Sequence, residues 1–230
     1  MEKYNEVNKR GYNKLAPYFD EEKRLTTANF HEVTLEFFRN AISKYVRKEM
    51  KVLEIGPGKD WLTKNVRFPD VDYYKVDVAE KMINNQEKSI SASADDMPFE
   101  DNTFDCVISS LGDPYFYKEA LIEVCRVLKK DGKMILSTPS NEWAEGIRGK
   151  KGKSIFVENG KTIETFSFTY DIEEMKELWI ECGFIPMSIQ EEFASKIEGI
   201  VSKDIEKSAN NKNKATETLS IAISAIFRKA

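Results

Sequence analysis

The chain is poor in the residues that build metal and redox centres. It has one histidine, His31, and three cysteines, Cys106, Cys125 and Cys182, among 230 residues. An odd, scattered set of cysteines gives neither a disulfide framework nor metal-ligand spacing, so all three read as packing residues and no metal is expected. Long apolar runs are missing as well, and Met1-Glu2-Lys3-Tyr4-Asn5 lacks the charged-then-apolar order of a signal peptide. The expectation is therefore a cytoplasmic protein without membrane insertion. Nor is there an excess of basic charge. A net charge of −4 weighs against nucleic acid as the partner, because such binding draws most of its affinity from phosphate neutralisation. The one basic cluster, Arg148, Lys150, Lys151 and Lys153, is threaded with Gly146, Gly149 and Gly152 and reads either as a solvated flexible loop or as an anion-binding site.

What is present is an ordinary globular composition, 41% hydrophobic and 32% charged, in a chain long enough to bury one large core. Residues 30 to 48 carry an apolar stripe at helical spacing. Strand patterns follow at 51–55, 73–78, 90–94, 104–110 and 134–138, with helices expected at 60–66, 79–85 and 117–128, the last closed by Lys129 to Gly132. Repeated strand–helix units of this kind imply a parallel sheet covered on both faces. Beyond Pro139 the pattern changes. Residues 140–169 read as irregular, with a hairpin around Asn159-Gly160; Asp171 and Glu174 form a capping box for a helix ending at Gly183. Strands at 184–189 and 219–228 close the sheet, separated by a helix over roughly 194–207 and an Asn/Lys-rich stretch expected to be partly mobile. The expected fold is one doubly wound, Rossmann-like α/β domain, 1–230, whose mostly parallel seven-stranded sheet has a reversed last strand. Residues 1–48 form an N-terminal helical cap, 140–169 an insert after the fifth strand, and 194–217 an insert between the last two.

The most informative stretch is Val52-Leu53-Glu54-Ile55-Gly56-Pro57-Gly58, an apolar strand running into a glycine turn with a carboxylate two residues before the first glycine. Such a turn allows the backbone to approach a ligand closely and aims the next helix's free N–H groups at it; it could also merely join strand to helix. A dinucleotide fold needs Gly or Ala three residues after Gly58, and Trp61 stands there, which argues against NAD or FAD. Asp77 follows Gly56 by about twenty residues, the interval at which doubly wound folds place an acid on ribose hydroxyls, although a strand-end Asp also caps helices.

Four segments in order, Glu54-x-Gly56-x-Gly58, Asp77, Asp95-Asp96-Met97-Pro98-Phe99-Glu100-Asp101-Asn102-Thr103-Phe104-Asp105 and Arg126-Val127-Leu128-Lys129-Lys130-Asp131-Gly132-Lys133, resemble the class I S-adenosylmethionine-dependent methyltransferases. The likeness covers about residues 50–140 and points to the small-molecule branch that includes the quinone-biosynthesis C-methyltransferases. It implies S-adenosylmethionine as cofactor, S-adenosylhomocysteine as product, a small-molecule acceptor and no metal. Carried over by residue, it implies that Glu54, Gly56 and Gly58 surround the methionine part, that Asp77 and its neighbour Val78 hold the ribose, and that Ser93, Ala94 and Asp95 border the adenine, with Ser110 at the end of the fourth strand also on the cofactor side. The family's third glycine is replaced by Asp60, and Ser93 stands where the family has an Asp. Tyr12-Asn13-Lys14-Leu15-Ala16-Pro17-Tyr18 is similar to the family's N-terminal aromatic segment, which implies Tyr18 against the cofactor and Tyr12 against the acceptor. The same aromatics could equally be helix-packing residues.

Methyl transfer from a sulfonium needs in-line approach and exclusion of water more than a protein nucleophile. A general base would serve a phenol or carbon acid; His31 is a candidate, with a structural role as the plainer reading. Asp113-Pro114-Tyr115-Phe116 resembles the Asp-Pro-Pro-Tyr motif of amino-methylating nucleic-acid enzymes without its second proline, which makes Asp113 a candidate catalytic residue and Tyr115 a candidate acceptor contact. Arg148 is a further candidate for the acceptor, under a mobile cover formed by 140–165. Two alternatives stand beside methyl transfer to a small molecule: a cofactor-binding regulatory subunit without turnover, and an amino-methylating nucleic-acid enzyme.

Overall fold

The computed structural model describes residues 4–20, 24–83, 87–147, 151–158 and 160–230. Two helices lead, α1 (Tyr4–Leu15) and α2 (Leu25–Tyr45), and then strand and helix alternate: β1 (Lys51–Ile55), α3 (Trp61–Asn65), β2 (Asp72–Asp77), β3 (Ser89–Ser91), β4 (Phe104–Ser109), α4 (Lys118–Val127) and β5 (Leu128–Pro139). After β5 come α5 (Asn141–Ile147), a hairpin of β6 (Lys151–Glu158) and β7 (Lys161–Phe168), α6 (Ile172–Glu181), β8 (Phe184–Phe193), α7 (Lys203–Asn211) and β9 (Ser220–Lys229).

The main sheet has seven strands in the order β3-β2-β1-β4-β5-β9-β8. All neighbouring pairs are parallel except those made by β9, which runs antiparallel to both β5 and β8. The expected doubly wound sheet with a reversed last strand is therefore the fold. Successive strand residues point to opposite faces. On one face Val52, Cys106, Ile108, Ile135 and Ile226 pack against Phe37, Phe38, Ala41 and Ile42 of α2. On the other, Leu53, Val107, Leu136 and Phe227 pack against Leu121 and Val124 of α4 and Met175 and Trp179 of α6. The buried thiols of Cys106 and Cys182 belong to these layers, and burial pushes the Cys106 thiol up to about 12. Among the described residues no helix is long and apolar enough to cross a membrane.

Because β1 leads toward β2 and β3 while β4 and β5 lie on its other side, strand order reverses between β1 and β4. In open α/β sheets that reversal leaves a crevice beyond the carboxyl ends of the strands, where ligands bind.

Several sequence expectations are corrected. Residues 79–83 form turns, not a helix; Asp77 accepts the Ala79 N–H and Met82 donates back to Ala79, so local bonds close the chain without helical pairing. The helix expected over 117–128 ends at Val127, while Lys129 to Gly132, expected as its closing turn, belong to β5, which begins at Leu128 and pairs there with Phe104. Residues 140–169 are not irregular: they hold α5 and the hairpin, which is where it was expected, while Asn159 at its turn lies outside the described residues. In place of one helix over 194–207 there is a single 3-10 turn, Ala194–Lys196, and then α7, whose start is fixed by Ser202 accepting the Ile205 N–H. The Asn/Lys-rich stretch is tied down by Asn211 donating to the Gly146 carbonyl at 2.7 Å and by Lys212 pairing with Glu145 at 2.6 Å. The Asp171–Glu174 capping box and a left-handed Gly183 (φ +91°) stand as expected.

Candidate functional site

The chain turns sharply out of β1. Gly56 donates to the Val76 carbonyl at 2.8 Å, and Gly56, Gly58 and Asp60 all have left-handed backbone, with φ of +67°, +56° and +67°. A side chain at Gly56 is excluded by space as well as by φ, since a Cβ there would lie 1.7 Å from the Tyr115 hydroxyl. Asp60, standing where the resemblance calls for glycine, adopts the glycine-like conformation, and its carboxylate is ion-paired with Lys75 of β2. Asn and Asp tolerate that region better than other non-glycine residues.

Beyond this turn opens a cavity of about 1080 Å³, lined by Gly56, Gly58, Asp77, Ser110, Asp113, Tyr115, Tyr12 and His31 and walled further out by Phe30, Trp143 and Ile147. Its volume is at the upper end of ligand pockets, roughly 300–1,000 Å³. Asp77 is 6% exposed, and burial raises its carboxyl to about 7. Ala79 donates to one oxygen at 2.8 Å, and no other described residue donates to that carboxylate. A buried carboxylate with accepting capacity left, facing a cavity beside a glycine turn, fits a ligand that brings hydroxyl donors, as a ribose does. The Tyr115 phenol is held well above its usual range, by burial first and then by Asp77, Tyr12, Asp113 and Glu54, so it remains a protonated donor over Gly56.

Not every residue singled out from the sequence reaches this space. The Glu54 carboxylate is 1% exposed and accepts the Tyr73 hydroxyl at 2.9 Å, supporting the turn from beneath. Val78, Ser93, Ala94 and Asp95 do not line the cavity. Asn5 of α1 covers them, donating to Ser93 Oγ at 3.2 Å and to the Asp95 carboxylate at 3.3 and 3.4 Å, while the Ser93 hydroxyl itself donates to Asp95. Tyr18 is turned to the hairpin, where Lys161 donates to its hydroxyl at 3.2 Å and lies over its ring. Arg148, Lys150 and the side chains of Lys151 and Lys153 lie outside the described residues. The carbonyl of Asp113 accepts the Phe168 N–H at 2.8 Å, which fixes the loop after β4 against the hairpin.

His31 is 6% exposed, stacks on Trp61 at 3.9 Å between ring centres, and burial lowers its pKa to about 3. An imidazole so weakly basic is mismatched to general-base work near neutral pH. Its Nδ1 is buried without a hydrogen-bond partner. Among the described residues no group of three or more His, Cys, Asp or Glu side chains is placed to hold a metal ion.

Three contributions lie outside the sequence expectations. Asn8, 2% exposed, bridges α1 to the site by donating to the Pro114 carbonyl at 3.2 Å and accepting the Phe166 N–H at 2.6 Å. Gly11 lets α1 lie directly on β7, since a Cβ there would come within 2.1 Å of the Glu164 carbonyl oxygen. Lys203 and Lys207, on one face of α7, reach the cavity from a helix whose bounds the sequence pattern misplaced. Their i, i+4 spacing was the available clue.

Residues 53–136 match the family model described as a methyltransferase domain. No curated protein matches the chain. Among solved structures, a Haloferax volcanii chain taken to be a methyltransferase, in complex with the Trm112 methyltransferase activator, is 16% identical over 95% of this chain and 97% of that chain, with a TM-score of 0.65. S-adenosylmethionine-dependent methyltransferases from Mesorhizobium loti and Methanosarcina mazei are 13% and 17% identical, covering 86% and 82% of this chain and 98% and 96% of theirs, each with a TM-score of 0.57. Likeness at these identities shows a shared fold. The matched residues lie on the strands and turn that build the cavity floor.

Proposed function

We propose that the protein transfers a methyl group from S-adenosylmethionine to an N, O or C atom of a small-molecule acceptor by direct in-line displacement inside this cavity. The observation that carries the reading is the Asp77 carboxylate, buried, incompletely hydrogen-bonded and lining the same cavity as the Gly56–Gly58 turn. When bound, the cofactor supplies a methyl already activated by its sulfonium. Gly56 and Gly58 give its methionine part a backbone with no Cβ in the way. Asp77 accepts the ribose hydroxyls. Ser93, Ala94 and Asp95 receive the adenine edge, with the Ala94 N–H available to a ring nitrogen, once Asn5 has moved off Ser93 and Asp95. The Tyr115 hydroxyl orients what lies above Gly56, and α1, α2, α5 and the hairpin exclude water from the reacting atoms. Acceptor contacts fall to Tyr12, Phe30 and Trp143 on the cap side of the cavity. Incubating the protein with methyl-labelled S-adenosylmethionine and a metabolite extract tests the reading: label is expected in a small organic product, and label found only in nucleic acid would contradict it.

A further inference from the structure

The cavity has two electrically different ends. Asp77 and Asp113, 6% and 8% exposed, lie at the floor, beside the glycine turn and the loop after β4. Arg24, Lys203 and Lys207 line the outer part with a single acid, Asp204, whose carboxylate accepts the Thr26 hydroxyl at 3.2 Å. The basic end is built: Asn29, 2% exposed, donates to the Ile200 carbonyl at 3.1 Å and accepts the Ser202 N–H at 2.9 Å, locking the start of α2 to the start of α7. Among the described residues Lys203 and Lys207 pair with no carboxylate. Lys203 is moreover the first residue of its helix, a position where the dipole favours acids and disfavours cations, so helix stability does not account for it. Leu25, Phe30, Leu111 and Trp143 supply apolar wall, and the buried His31, whose Nδ1 has no hydrogen-bond partner, also lines the cavity.

We infer that the acceptor is an apolar small molecule bearing one carboxylate or phosphate, held by Lys203 and Lys207 while its apolar body crosses Phe30 and Trp143 toward the methyl donor. The inference rests on the proposed methyl transfer: a cationic donor suits the acidic floor, and the charge at the outer end calls for an anion. Attraction to two water-accessible lysines is modest, so the anionic group should tighten binding about five- to tenfold over a neutral analogue.

The test uses the full chain with 2-naphthoate and 2-naphthamide, which differ in charge but scarcely in shape, titrated by calorimetry with S-adenosylhomocysteine present and absent. Naphthoate is expected to bind more tightly by that factor, with the preference shrinking as salt is raised. In K203Q/K207Q the preference should vanish while S-adenosylhomocysteine affinity stays at the wild-type value. Absence of naphthoate binding, equal affinity for the amide, or an unchanged preference in the double variant overturns the inference. Loss of S-adenosylhomocysteine binding by the wild-type protein would instead overturn the methyl-transfer reading, and the naphthoate preference measured without it would still report on the lysines.

Discussion

The carboxylate of Asp60 is paired with the Lys75 ammonium while its backbone holds a φ of +67°. A residue that departs from the family's glycine pattern is thus accommodated by keeping the glycine conformation and neutralising the charge it introduces. The turn beside the cavity is preserved by backbone geometry rather than by residue type.

This makes Asp60 a stability probe. In the left-handed region an alanine costs roughly 1–2 kcal/mol and a glycine almost nothing. Asp60→Gly and Asp60→Ala both lose the Lys75 pair, and Asp60→Ala is expected to be less stable than Asp60→Gly by about that amount. Equal melting of the two variants would show that the φ at this position does not limit the fold.

If Asp77 holds the ribose as proposed, it is expected to couple cofactor binding to pH. Its carboxyl titrates near 7 in the folded protein against 3.8 for the unperturbed group, because burial disfavours the charge. Hydroxyl donors from a ribose stabilise the ionised form, so affinity for S-adenosylhomocysteine should rise as pH increases through about 7. Stability runs the other way: the raised folded pKa makes the ionised group a penalty that is absent below 3.8 and complete above about 7, up to ~4 kcal/mol. Asp77→Asn should therefore melt higher than wild type at pH 8. Asp77→Ala should lose roughly ten- to a hundredfold in affinity, as expected for one charge-assisted bond. Unchanged affinity in thermal-shift and calorimetric measurements would assign Asp77 to the Ala79 turn alone.

His31 sets an acid limit. Its folded pKa of about 3 lies below the unperturbed 6.5, so the unfolded chain takes up a proton that the folded one refuses. Stability from this group is present above 6.5 and lost as pH falls toward 3. Replacing it by phenylalanine, which keeps a ring against Trp61, should flatten the melting temperature between pH 6.5 and 4. A variant as acid-sensitive as wild type would place the labile group elsewhere.

The sheet order, the glycine turn and Asp77 were legible because each is local: period-two apolar runs, two glycines and an acid at a fixed interval. The misread elements depend on contacts distant in sequence. Residues 79–83 hold enough helix-forming side chains to suggest a helix, but Asp77 captures the Ala79 N–H and the chain turns. The Asn/Lys-rich stretch has a disorder-like composition, yet Asn211 and Lys212 find partners on α5 more than sixty residues away. The aromatic Tyr18 had the right chemistry for a sulfonium but is claimed by Lys161 of the hairpin. No local pattern announces Asn5 or Asn8, whose partners lie about 90 to 160 residues downstream.

The most direct measurement is calorimetric titration of the purified protein with S-adenosylhomocysteine and, separately, with NAD. The Gly56–Gly58 turn, the half-satisfied Asp77 and the Trp61 indole in place of a dinucleotide glycine predict saturable binding of the first and none of the second. Binding of NAD without binding of S-adenosylhomocysteine would contradict the account.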